Sequence, residues 1–297
     1  MDPGRRSILA ALLAAPFAKP SMAQPALISR NIPSTGEGLP VIGAGTWQTF
    51  DVGADAAARA ELREVLKLLD GNVVDSSPMY GSAESVVGDL VAELGIRERL
   101  FVATKVWTRG REDGIRQMES SFRRLRVQVM DLMQVHNLVD VAVHAKTLQD
   151  MKAKGRVRYI GITHYTASAY SEVGRAMTIA PWDFLQINYS LAERSADERI
   201  LPLARERGMR VLINRPFGEG SLFRRTKGKP LPPWAAELGI ASWAQYFLKW
   251  IVSHPAVTCA IPGTSNPRHM KDNLGAAQGR LPDEATRKKM ADHFDSL

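Results

Sequence analysis

The chain reads as an α/β protein of the (β/α)8 TIM barrel class, and three observations carry that expectation. The first is alternation: windows of helical periodicity are separated by short apolar, strand-like runs over most of the chain, the pattern of parallel strands joined by crossover helices. The second is size. Residues 24–297 form one domain of about the length a single (β/α)8 barrel requires. The third is how three runs end: Asn72-Val73-Val74 closes on Asp75, Phe101-Val102-Ala103-Thr104 on Lys105, and Leu132-Met133-Gln134-Val135 on His136. In a barrel every strand delivers its last residue to the same rim, so these three groups become neighbours around one pocket.

In chain order, the periodicity predicts helices over 55–69, 84–94, 115–125, 142–154, 167–180 and 200–207. Between them lie the strands ending at Asp75, Lys105 and His136, followed by strands at 157–162, 184–187 and 210–213. A helix at 241–253, a strand at 257–261 and a helix at 267–277 complete the eighth unit. Residues 218–233, rich in Gly, Pro, Arg and Lys, form the longest unpatterned stretch and read as a loop. Gly43 and Gly45 lack the third glycine and the later acidic residue of a dinucleotide fingerprint, and read as tight barrel-turn glycines.

The rim groups make coherent chemistry. Asp75 opens Asp75-Ser76-Ser77-Pro78-Met79-Tyr80-Gly81, so a phenol follows on the adjoining loop. A tyrosine is a weak acid, with a reference pKa of about 10. A neighbouring Lys105 ammonium lowers that value by stabilising the phenolate, and Asp75 holds the ammonium in place. His136 can hydrogen-bond and orient the same carbonyl oxygen. None of the four supplies reducing equivalents, and no cluster has metal-ligand spacing, so a hydride donor must come from outside.

These motifs resemble the aldo-keto reductases. The resemblance runs over about residues 39–277, through Gly43-Ala44-Gly45-Thr46-Trp47, the Asp75 to Gly81 segment, Thr104-Lys105-Val106-Trp107, Gln134-Val135-His136-Asn137, Gly161-Ile162-Thr163-His164-Tyr165, Leu185-Gln186-Ile187-Asn188-Tyr189-Ser190 and Ile261-Pro262-Gly263-Thr264-Ser265-Asn266. It implies a nicotinamide-dependent carbonyl reductase with Tyr80 as general acid, Lys105 and Asp75 as its tuning pair and His136 as the orienting group. It further implies NADPH, with NADH as the alternative. Thr163, His164 and Gln186 then line the nicotinamide, and Thr264 and Asn273 also bind the cofactor, while Arg268, helped by His269 or Lys271, is expected to meet the adenosine phosphate. Trp47 and Trp107 stand on the side of a small carbonyl substrate. Four positions depart from the family. Asn214 and Arg215 replace a stacking aromatic residue and a serine, so that Arg215 covers the ring with its guanidinium or binds the pyrophosphate. His164 replaces an amide, and Gly263 a lysine. Loop 218–233 would lie over the cofactor.

Other classes fare less well. A redox-sensing or regulatory binding protein on the same fold stays open as an alternative, although the complete tetrad speaks against it. A lysine Schiff-base lyase is disfavoured because Asp75 and Tyr80 suit a charged Lys105. The formal net charge is +8, with basic clusters at Arg123, Arg124 and Arg126 and at Arg224, Arg225, Lys227 and Lys229. Neither cluster accompanies a recognition motif or an aromatic platform, so no nucleic-acid partner is expected. The second cluster could instead face the anionic cofactor. His144, His254 and His293 read as solvated or capping residues. The one cysteine, Cys259, permits no intrachain disulfide.

The amino terminus carries a separate message. Arg5-Arg6 precede the apolar run 8–18, and Ser21-Met22-Ala23 offers small residues for cleavage. The run is too short for a stable membrane anchor. Residues 1–23 therefore read as a twin-arginine signal peptide, with the twin-arginine translocase as transient partner and the periplasm as destination; an unused signal would leave the protein cytoplasmic. The oligomeric state is not legible.

Overall fold

The computed structural model describes residues 27–69 and 71–297, so the stretch 1–23 expected to be a signal peptide lies outside the described residues. A short antiparallel hairpin, β1 (Ser29–Asn31) and β2 (Gly38–Pro40), comes first. Eight parallel strands follow: β3 (Ala44–Gly45), β4 (Val73–Asp75), β5 (Phe101–Val106), β6 (Met130–His136), β7 (Val157–Thr163), β8 (Phe184–Asn188), β9 (Arg210–Asn214) and β10 (Cys259–Ala260). Each pairs with the next in sequence order. A parallel bridge between Ile42 and Ala260, with Gly43 N–H donating to Ala260 O at 2.9 Å, closes the ring. The predicted (β/α)8 barrel is thus the observed architecture.

The helices are α1 (Ala56–Leu68), α2 (Ala83–Leu94), α3 (Arg111–Leu125), α4 (Val141–Ala153), α5 (Tyr170–Ala176), α6 (Ile200–Glu206), α7 (Ser221–Thr226), α8 (Trp243–Val252), α9 (Pro267–Gly275) and α10 (Glu284–Asp295). Their starts are chemically marked. Asp55, Ser242 and Asp283 accept from the backbone N–H three residues on, which satisfies donors that the first turn leaves free. Leu62, Val65 and Leu66 of α1 recur at helical spacing and are buried, which turns that face onto the barrel.

The interior has two levels. Phe101, Tyr159 and Phe184 pack ring against ring near the amino ends of their strands, with Leu132, Leu212, Cys259 and the hairpin residues Ile32 and Leu39 in the same cluster. The hairpin therefore plugs the end of the barrel opposite the polar rim. It is held there by Tyr159, whose hydroxyl lies 2.7 Å from both Glu37 and Thr35.

Several expectations need correction. The stretch 167–180 is a 3-10 turn at Ala167–Ala169 followed by the shorter α5; Thr178 and Ile179 bond three residues back rather than four, and Pro181 follows. The unpatterned stretch 218–233 contains α7. Two of its basic residues serve packing: Arg225 caps the Asp295 carbonyl and lies 4.3 Å over the Phe294 ring, while Lys229 reaches the Leu297 carbonyl. Gly43 and Gly45 are sites of close approach rather than turns, since a Cβ at Gly43 would sit 2.6 Å from the Val73 carbonyl and one at Gly45 2.9 Å from that of Ile261. His144 is fully buried, 2.7 Å from the Thr108 carbonyl, and not solvated.

Candidate active site

Parallel register brings the rim residues together. Asp75 ends β4, His136 ends β6 beside Thr163 at the end of β7, and Thr163 in turn pairs with Gln186 on β8. Lys105, next to last in β5, has no exposed surface, and Asp75 is almost as deeply buried. Lys105 Nζ donates to Asp75 Oδ2 at 2.6 Å and to the Ser76 carbonyl at 2.7 Å. The other carboxylate oxygen, Oδ1, accepts from Gln134 Nε2 at 3.0 Å and Gln186 Nε2 at 2.9 Å. Three donors therefore fix one carboxylate, as a charge removed from water requires.

Tyr80 lies half-buried above this pair, its ring centroid 5.0 Å from Lys105 Nζ, and His136 meets the same ring edge-on at 5.9 Å. Burial pulls the Lys105 ammonium down, but Asp75 and Tyr80 outweigh it and the net is a raised value. Lys105 is charged at neutral pH. The expectation for Tyr80 needs correcting: burial pushes the phenol up further than the Lys105 charge pulls it down, so the hydroxyl titrates above the ordinary value. The proton is thus secure at neutral pH, and Lys105 is placed to stabilise the phenolate once the proton leaves. His136 is held neutral, its pKa pushed down to about 2 by burial and by the Lys105 and His164 charges.

A cavity of about 690 Å³ opens over the tetrad, lined by Asp75, Tyr80, His136, Thr163, Gln186 and Asn214, with Trp47 and Trp107 half-exposed at its mouth. Gln48, Asn137, Arg215 and Glu219 also line it, all with positive φ. Such conformations cost non-glycine residues about 1 kcal/mol or more, and they gather where ligands are clamped. A second cavity of about 400 Å³ shares Phe217, Phe223 and Gly263 with the first and is lined by Thr264, His269, Asp272 and Asn273. Through these shared residues they make one trough from the tetrad to α9.

The residues present fit a nicotinamide cofactor. Asn214 donates through Nδ2 to the His164 carbonyl at 3.1 Å, while its buried Oδ1 has no partner, an acceptor suited to a carboxamide N–H. Thr163 donates to Gln186 Oε1 at 3.2 Å and so orients that amide. The Arg215 guanidinium is engaged by the Tyr165 carbonyl at 2.9 Å and by Glu219 at 3.1 Å. The His164 ring does not reach the cavity lining; it stacks on Tyr165 with a centroid distance of 5.5 Å. Arg268 is exposed and, unlike His269, does not line the second cavity. Sequence reasoning passed over Gln134, Ser77 and Asn137. Gln134 stands two residues before His136 on the same strand face, a signal that could have found it.

Residues 41–289 match the model of the Aldo/keto reductase family. Methylglyoxal reductase YeaE of Escherichia coli is 28% identical over 255 residues, spanning 82% of this chain and 87% of that protein. Aldo-keto reductase YhdN of Bacillus subtilis is 28% identical over 203 residues, spanning 62% of this chain and 60% of that protein. In fold, the chain is similar to an aldo-keto reductase from Klebsiella pneumoniae solved in complex with NADPH, with a TM-score of 0.76 at 24% identity over 91% of this chain and 95% of that one. An aldo/keto reductase from the same organism, solved with NADP and acetate, gives a TM-score of 0.74 at 24% identity over 87% of this chain and 93% of that one. The chain belongs to the aldo/keto reductase family and is an oxidoreductase of that family.

Proposed function

We propose that this chain reduces an aldehyde or ketone to the alcohol with NADPH as hydride donor and Tyr80 as general acid. The observation that carries this reading is the buried Lys105–Asp75 pair beside a protonated Tyr80 at the floor of the trough. Thr163, Gln186 and Asn214 would hold the nicotinamide, which when bound would supply a hydride to the carbonyl carbon. Tyr80 gives its proton to the carbonyl oxygen, and the Lys105 ammonium steadies the phenolate left behind. Neutral His136 donates a hydrogen bond to the same oxygen and orients it. Alcohol oxidation is the reverse, with the Tyr80 phenolate as base. Trp47 and Trp107 bound the substrate side. A small 2-oxoaldehyde is the first substrate to test, because the Escherichia coli relative is named for methylglyoxal reduction.

Removing one hydroxyl tests the mechanism. Tyr80→Phe keeps the ring packing and should cut turnover by about 100-fold or more, the usual worth of general acid catalysis, with cofactor affinity by fluorescence titration barely changed. Near-parental turnover would overturn the reading. Export to the periplasm through Arg5-Arg6 is part of the proposal, on the sequence alone. A reporter fused after Gln24 should be exported, and Arg5→Lys with Arg6→Lys should block it; cytoplasmic retention of the unaltered fusion would sink that part.

A further inference from the structure

His136 can orient a carbonyl only if the correct ring nitrogen carries its proton. The ring is neutral, with a pKa near 2, so it holds one N–H and the two nitrogens are alternatives. Nε2 makes no hydrogen bond to the described residues, whereas Nδ1 lies 3.1 Å from Ser77 Oγ. Ser77 is fully buried and His136 nearly so, which keeps water from taking over this contact.

Ser77 is itself held in place. Its carbonyl accepts from Tyr80 N–H at 3.1 Å, and its Oγ accepts from Met79 N–H at 3.4 Å. Next to it, the Ser76 carbonyl accepts from Lys105 Nζ at 2.7 Å and Ser76 Oγ from Thr46 Oγ1 at 2.9 Å. The segment is pinned from both sides, so the hydroxyl cannot follow a ring that swings away. Since Oγ already accepts one bond, its own proton is available to donate. The opposite tautomer would turn an Nε2 lone pair toward the lone pairs of a carbonyl oxygen, a repulsive contact in a site of low dielectric.

We infer that Ser77 is a positioning residue for carbonyl reduction: its hydroxyl donates to His136 Nδ1 and so fixes the tautomer that presents Nε2–H to the substrate oxygen. This rests on the reading of His136 as the orienting group.

The test reads tautomers by long-range 15N–1H correlation on histidine-labelled protein, with the His136 signals identified by their loss in His136→Gln. The parent chain should show an Nε2–H ring from pH 6 to 8. Ser77→Ala should shift the ring toward Nδ1–H or a mixture and lower kcat/KM for carbonyl reduction by roughly ten-fold, the scale of one lost hydrogen bond. Ser77→Thr, which keeps the hydroxyl, should restore both. An Nδ1–H ring in the parent overturns the inference with no variant needed. So does a Ser77→Ala ring that stays Nε2–H, or one that switches without loss of rate. Failure of the underlying reading looks different: His136→Gln would then keep the parental kcat/KM, whatever the tautomer in the parent.

Discussion

Lys105 illustrates how a single buried residue is committed by its contacts. It has no exposed surface, and its charge is sustained by Asp75, the Ser76 carbonyl and the adjoining phenol. In Lys105→Met the carboxylate keeps the two glutamine donors but loses its counter-charge. Breaking a buried pair from one side costs on the order of 3–5 kcal/mol, which a thermal or urea melt would register. The same substitution removes the charge that pulls the Tyr80 value down, leaving burial unopposed. Oxidation of an alcohol needs the phenolate, so the rising limb of its pH profile should move to higher pH. An unmoved limb would show that Lys105 does not tune Tyr80. Asp75, Tyr80, Lys105 and His136 were legible because strand ends of a barrel share a rim. The net direction of the Tyr80 shift was not, since it depends on how deeply the ring is covered.

At the level of elements, the start of α9 decides what the far end of the trough can bind. Asn266 caps this helix by accepting from Arg268 N–H at 2.9 Å, and Arg268, His269 and Asp272 follow within its first turns. Only His269 and Asp272 of these line the second cavity, and the Asp272 carboxylate is already engaged by Ser242 at 2.6 Å and Gln245 at 2.8 Å. If Arg268 or His269 meets a 2'-phosphate at the helix amino terminus, Arg268→Ala or His269→Ala should weaken NADPH by about 1–3 kcal/mol and leave NADH nearly unchanged in parallel titrations. Equal loss for both cofactors in both variants would refute the assignment. The barrel units from α1 to α9 were legible, α7 apart, because each alternates period with its neighbour. The β1–β2 hairpin, α7 and α10 were not. The hairpin strands are three residues each, too short to show alternation, and only Met290 and Phe294 of α10 are buried, a narrow stripe on a charged helix.

For the molecule as a whole, two histidines set a pH dependence of stability with a definite sign. His136 titrates near 2 in the folded chain, because of burial and the Lys105 and His164 charges, against an ordinary value of 6.5. His254 is likewise held down at about 4, by burial and then by Arg287, Arg30 and Arg205. Below pH 6.5 the unfolded chain takes up protons that the folded rings refuse. Stability supplied by neutral His136 is therefore present above that value and is lost progressively as pH falls toward 2, with a limiting slope of about 1.4 kcal/mol per pH unit. Glu84 acts in the opposite sense, since burial raises its carboxyl and the folded chain is the first to protonate it. The total slope is thus a sum of signs, and a difference between variants isolates one contributor. His136→Gln removes one refused proton and should flatten the fall in urea stability between pH 6 and 4.5 by up to that slope, while His254 and Glu84 are unchanged. Coincident slopes for parent and variant would mean that the His136 ring accepts its proton in the folded state, and the neutral hydrogen-bond donor assigned to it would be lost with that result.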